Sequence, residues 1–115
     1  MHEMSLAQNI LDIVLKTAAA HDVKKVVRIT IRAGQLRGIV PEQLKFCFGF
    51  VAKDSIAEDS DLVVNSLPVK GKCKPCGNTF FVKEYRFVCP ACESEEVEVL
   101  QGMELLVENI EVGQD

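Results

Sequence analysis

Four of the five cysteines stand in two pairs, Cys73-Lys74-Pro75-Cys76 and Cys89-Pro90-Ala91-Cys92, with 12 residues between them. Two residues between cysteines let both sulfurs turn toward one point. Two such knuckles on a short hairpin supply the tetrahedral thiolate set of a closed structural zinc site. The same spacing also admits redox pairs, two disulfides or an iron–sulfur centre. A thioredoxin-type pair belongs where a strand enters a helix, whereas short extended segments flank each pair here. The 20 residues from Cys73 to Cys92 are too few for a core of their own, so metal binding must supply their folding energy. A filled four-thiolate site keeps no open position and performs no hydrolysis. Gly77 follows the first knuckle, where a positive φ is expected; Glu93 holds the equivalent place after the second and is less comfortable there. Phe80, Phe81, Tyr85 and Phe87 lie between the knuckles and can pack over the metal. Lys70, Lys72, Lys74, Lys83 and Arg86 offset the charge of the thiolates. The fifth cysteine, Cys47, falls on the apolar stripe of a helix and reads as a core residue.

A second chemistry sits at the N-terminus, Met1-His2-Glu3. A bulky second residue is expected to keep the initiator methionine in place. The Met1 amine, the His2 amide nitrogen and the His2 ring can then close adjacent chelate rings. Nickel(II) and copper(II) prefer such a square-planar nitrogen set, whereas zinc has no such preference. Many chains carry a second-position histidine by chance, so spacing alone leaves metal binding and an idle histidine both open. Glu3 can contribute its amide, its carboxylate or neither, and an acidic residue at the positive end of a helix has a structural use as well. His21 is expected at the far end of the first helix, as a surface residue.

These residues need positioning elements. The chain has 115 residues, 48% of them hydrophobic and 26% charged, the balance of one ordinary globular unit. A formal charge of −4 disfavours a nucleic-acid-binding surface, and no apolar run is long enough to span a membrane. No basic segment precedes a clean apolar core at the N-terminus, so no signal peptide is expected and the cytoplasm is the expected compartment. Ser5 and Gln8 have capping-box spacing, predicting a helix from Ser5 to Ala20 with Leu6, Ile10, Ile13, Val14 and Thr17 on its inner stripe, widened by Ala7, Leu11 and Ala18. Val27, Ile29, Ile31 and Ala33 alternate with Arg28, Thr30 and Arg32, predicting a half-buried strand that ends at Gly34. Pro41 opens a second helix with Leu44, Cys47, Phe48 and Val51 inward and Phe46 and Phe50 beside them. Gly49 weakens that helix by about 1 kcal/mol relative to alanine. Leu62–Leu67 and Met103–Val112 read as further strands, the last placing Leu106 on a sheet face.

The whole pattern resembles the HypA/HybF family of hydrogenase maturation nickel metallochaperones. The resemblance rests on Met1-His2-Glu3, Gly34-Gln35-Leu36, Val40-Pro41-Glu42 with Leu44 and Phe46, the paired knuckles, and Gly102-Met103-Glu104-Leu105 leading to Ile110-Glu111-Val112. It covers essentially the whole chain. Gln35 stands where the family usually has glutamate, and Glu93 where it often has glycine.

The resemblance implies an α+β fold, two helices packed on a small three-stranded sheet with an inserted zinc-ribbon-like four-cysteine module. The expected division is a nickel-binding domain of residues 1–69 with 97–115, and a structural zinc-binding domain of residues 70–96. It implies transient Ni(II) bound by His2, with the backbone nitrogens of Met1 and Glu3 as candidate further donors, and structural Zn(II) on Cys73, Cys76, Cys89 and Cys92. It further implies a non-catalytic cytoplasmic protein, a monomer or weak homodimer. Nickel would be delivered to the large subunit of a nickel–iron hydrogenase, and in some organisms to urease, together with the HypB GTPase. A zinc-ribbon interaction module without nickel and a thiol oxidoreductase are the competing readings.

Overall fold

The computed structural model describes residues 3–113; Met1, His2, Gln114 and Asp115 lie outside the described residues. Two compact units divide the chain. One holds the segment ending at Arg32, Ile39–Asn65, and the segment from Leu106 onward; the other holds Ala33–Gly38 and Ser66–Leu105.

In the first unit, helix α1 (Glu3–Ala20) buries Leu6, Ala7, Ile10, Leu11, Val14 and Ala18 and packs against helix α2 (Pro41–Val51). The helix starts two residues before the predicted cap. Ser5 is therefore inside its first turn, and the Gln8 side chain donates to Asp12 rather than closing a capping box. Six of the eight expected stripe residues are buried; the other two are not, because Ile13 is 49% exposed and Thr17 faces solvent. Helix α2 begins at Pro41, as its missing amide proton allows in a first turn. It buries Leu44 and Phe48 and leaves Phe46 and Phe50 on the outside.

Strand β1 (Val26–Gly34) is central in a three-stranded sheet, between β2 (Asp61–Leu67) and β6 (Leu105–Val112). Arg28 reaches both neighbours, Glu111 on β6 at 2.8 Å and Asp61 on β2 at 3.6 Å. Arg32 pairs with Glu108 at 2.9 Å, so β6 numbers fall as β1 numbers rise and the two run antiparallel. The inward series is Val26, Ile29, Ile31, Ala33. Val27 is exposed, contrary to strict alternation. The Val26 N–H donates to the Ile56 carbonyl, which ties the first strand residue to the loop before β2. Leu106 is 55% exposed and is no part of a sheet core, since β6 is an edge strand with partial cover.

In the second unit, β3 (Lys70–Cys73) is paired antiparallel with both β4 (Thr79–Phe81) and β5 (Val97–Gln101). Strand β5 has no clear alternation and was not expected from sequence. Gly34 also belongs to this unit, where its N–H donates to the Glu104 carbonyl and Leu36 N–H to the Gly102 carbonyl. A Cβ on Gly34 would overlap the Gly102 backbone, so close strand approach requires glycine there. No helix among the described residues is long and apolar enough to cross a membrane.

Candidate metal centre

Each knuckle is built by the same local bonds. The Cys73 carbonyl accepts from Gly77 N–H at 2.8 Å, while Cys73 N–H donates to the Asn78 carbonyl at 2.8 Å. The Cys89 carbonyl accepts from Glu93 N–H at 2.8 Å, while Cys89 N–H donates to the Ser94 carbonyl at 2.9 Å. The closing residue must turn left-handed in both cases: φ is 76° at Gly77 and 63° at Glu93. Glutamate there carries the steric cost that glycine avoids. The first cysteine of each knuckle, Cys73 or Cys89, is buried, and the second, Cys76 or Cys92, is exposed.

The four sulfurs lie within 4.8 Å of one another. Cys73 and Cys92 sulfurs are 3.4 Å apart and those of Cys76 and Cys89 3.7 Å apart. A tetrahedron with zinc–sulfur bonds of about 2.3 Å has edges of about 3.8 Å, so the donor set fits a closed zinc site. These separations are far longer than the roughly 2.05 Å of a disulfide bond.

The thiols also disagree about ionisation in a way that a cation resolves. Burial works to raise the Cys89 thiol. Backbone N–H groups of Cys92 and Ala91, with the Asn78 side chain and Cys76, outweigh burial and bring it down to about 6. For Cys92, the Ser94 backbone N–H pulls downward. Cys73, desolvation, Cys76 and Cys89 together win and push it up to about 12. At Cys76 the Asn78 backbone lowers and the neighbouring Cys73 and Cys89 thiols and desolvation raise, with a net rise. One thiolate in contact with three other sulfurs suppresses the next ionisation, and a dication reverses that balance.

The aromatic residues between the knuckles differ in their cover. Phe81 is 58% and Tyr85 67% exposed, and Phe80 and Phe87 are half-buried. Phe80 and Phe81 wall an open groove with Lys83, Arg86, Val88, Cys89, Pro90 and Glu93.

The other expected metal position lies on Met1 and His2, outside the described residues. Glu3 is described and opens α1. It lines a cleft of about 430 Å³ with Met4, Glu42, Gln43, Phe46 and Cys47. Cys47 is therefore a half-buried cleft residue, not the core residue expected from its place on the helix. Its helical spacing gave no signal for this, because the cleft is lined from both α1 and α2. His21 is exposed in the turn after α1, as expected.

Comparison with known proteins places these features in a family context. A family model described as "HypA: Hydrogenase/urease nickel incorporation, metallochaperone, hypA" matches residues 1–112. The hydrogenase maturation factor HypA of Desulfitobacterium hafniense (strain DSM 10664 / DCB-2) is 38% identical over 112 residues, 97% of this chain and 98% of that protein. The hydrogenase maturation factor HypA of Geobacter metallireducens is also 38% identical over 112 residues, 97% of this chain and 99% of that protein. The solution structure of the Ni metallochaperone HypA from Helicobacter pylori covers 97% of both chains, with a TM-score of 0.72 at 23% identity. At that identity the structural likeness is one of fold.

Proposed function

This chain belongs to the HypA family of hydrogenase/urease nickel-incorporation metallochaperones, and from that premise we propose how its own residues divide the work between two metals. The family match across residues 1–112 is the observation that carries the reading. Cys73, Cys76, Cys89 and Cys92 hold zinc, which closes the module and stays. The clustering of the four sulfurs within 4.8 Å supports this. When bound, zinc supplies folding energy and no open coordination position.

Nickel is the cargo. His2 anchors it through the ring and amide nitrogen, with the Met1 amine or the Glu3 amide completing a planar nitrogen set. The first four N–H groups of a helix have no intrahelical partner. The Glu3 amide at the start of α1 is thus not committed to helix bonding. A histidine ligand titrating near pH 6.5 weakens the hold on nickel in mild acid. The protein is non-catalytic and works in the cytoplasm. It hands nickel to the large subunit of a nickel–iron hydrogenase, or to urease, with the HypB GTPase as co-worker.

The test is metal stoichiometry and nickel titration of the full chain and of His2→Ala. Wild type should bind one nickel beside one zinc. His2→Ala should abolish specific nickel binding, because the anchoring ring is gone, and keep its zinc and fold. Equal nickel affinity in both proteins would remove His2 from the site. An N-terminal extension ahead of Met1 converts the amine into an amide and should also weaken nickel binding. Restored affinity after cleavage back to Met1 assigns the amine as a ligand.

A further inference from the structure

The cysteine unit carries an open groove of about 620 Å³ beside its second knuckle. It is lined by Phe80 and Phe81 of β4, by Pro90, and by the cations Lys83 and Arg86, with Glu93 as its one carboxylate. The groove thus joins an apolar surface to a pair of charges of one sign.

The turn that sets the two cations is the informative segment. The Arg86 N–H donates to the Lys83 carbonyl at 3.0 Å. Both residues between them are left-handed, with φ 53° at Glu84 and 59° at Tyr85. Turns of this hand favour glycine, asparagine and aspartate. Glutamate and tyrosine meet a steric penalty there, so the turn is held against local preference. Strained backbone of this kind gathers at recognition sites. The turn brings the Lys83 and Arg86 Cα atoms within about 7 Å of each other, and it leaves Tyr85 67% exposed between them. Among the described residues neither cation has an ion-pair partner.

Charge points to the occupant. Residues 70–86 hold five cations and one carboxylate, in a chain of net charge −4. Four thiolates around one zinc leave a net charge of only −2, so the local cations exceed what the metal site needs. A nucleic-acid strand would bring a phosphate with every nucleotide past Glu93. A peptide can set its carboxylates on Lys83 and Arg86 and an apolar side chain on the phenylalanines. We propose that this groove is a docking site for an acidic segment of a partner protein, in which carboxylates flank a large apolar side chain. Burial of that side chain against Phe80, Phe81 and Pro90 supplies affinity, and the cation pair supplies orientation and encounter rate. The site needs only the zinc-loaded module and is independent of how nickel is held at His2.

Amide shifts in the NMR spectrum of the zinc-loaded full chain, titrated to millimolar peptide at low salt, test this. The probe is an end-capped hexapeptide with phenylalanine and leucine between two acidic pairs. Shifts should gather over residues 80–93, and affinity should fall as salt rises. Lys83→Glu and Arg86→Glu should each weaken binding about threefold to tenfold, and Phe81→Ala about tenfold. All three should keep one zinc per chain. The double charge variant should take the lysine counterpart of the probe in place of the acidic one. No shift at millimolar peptide overturns the proposal. So does equal binding of an acidic hexapeptide with glycine and serine at its centre, or tighter binding of hexathymidylate. A double variant that loses zinc yet still binds the acidic probe would assign the two cations to the thiolates and overturn it too.

Discussion

In the unit that carries α1 and α2, the largest side chains fully hidden from solvent are Phe48, Ile10, Ile29, Ile31 and Leu44. In the unit built on β3, β4 and β5, the fully hidden ones are Cys73 and Cys89. The first unit thus has an apolar core of the usual kind. The second encloses mainly Val69 and Val82 besides its two inner cysteines, each worth about 1.5–3 kcal/mol of burial. Structural zinc contributes about 10–16 kcal/mol in small sites, which outweighs that burial. One unit is held by what water expels, and the other presents four thiols placed for a metal to gather.

The largest expected effect separates the two directly. Removing zinc with a chelator, or Cys73→Ala, should unfold the cysteine unit and leave the helical unit intact. Hydrogen exchange followed by mass spectrometry should show protection lost over residues 70–101 and kept in α1, α2 and the middle of β1. Cys47→Ala should keep its zinc. If protection fell equally in both units, the contrast would fail; if Cys47→Ala lost zinc and Cys73→Ala did not, the ligand assignment would be wrong.

The reciprocal substitution is Phe48→Ala. It empties the centre of the apolar core and should cost about 3–5 kcal/mol, read from denaturant unfolding of the helical signal. Zinc content should remain one per chain. Loss of zinc in this variant would show that the metal unit leans on the helical core.

Within the cysteine unit the two knuckles share their hydrogen bonds and differ at the closing residue. A left-handed non-glycine residue costs about 1–2 kcal/mol, and the looser unfolded chain of glycine returns about 0.4–1 of that. Glu93→Gly should therefore stabilise the zinc-loaded chain slightly, and Gly77→Ala should destabilise it by about 1 kcal/mol. Zinc competition and thermal unfolding read both. Matching responses at the two positions would mean that the left-handed turn is not what distinguishes them.

The smallest effect concerns the turn before β6. The Glu104 carboxylate accepts from Gly102 N–H at 2.7 Å. That bond, then the Glu104 and Met103 amides, hold its carboxyl below the usual range against a smaller desolvation effect. A lowered carboxyl pKa stabilises the folded state above the unfolded value of about 4.3, and the gain is lost as pH falls through the lower folded value. The Gly102 amide resonance should therefore report a titration below the ordinary glutamate range. In Glu104→Gln that titration should vanish. A midpoint at or above the ordinary value would remove the bond from the turn.

Legibility followed the range of the forces involved. The knuckles were readable because C-x-x-C and a following left-handed residue are local geometry, and Gly77 and Glu93 both take a left-handed φ despite different side chains. The start of α2 was readable because proline acts on its own backbone. Outward Arg28 and Arg32 followed from alternation and are held by carboxylates from β2 and β6. Where cover comes from elsewhere in the chain, pattern misled. Ile13 and Leu106 carry apolar side chains that are left about half exposed. Strand β5, with four of its five residues Val97, Glu98, Val99 and Leu100 giving no period, exists because β3 offers it an edge.

What sequence alone determined about this protein is which candidate donors are present and how they are spaced: four thiols at knuckle spacing, a histidine at position 2, and the glycine, proline and alternation signals that organise the backbone around them. These act within a few residues, so no folded context is needed to read them. Only tertiary structure decided that Cys73 and Cys89 sit inside while Cys76 and Cys92 face out, that Gly34 passes against Gly102, and that Cys47 lines a cleft with Glu3. Each of these depends on segments far apart in the chain meeting in space. Burial belongs to the meeting and not to either segment, and therefore has no signature in local sequence.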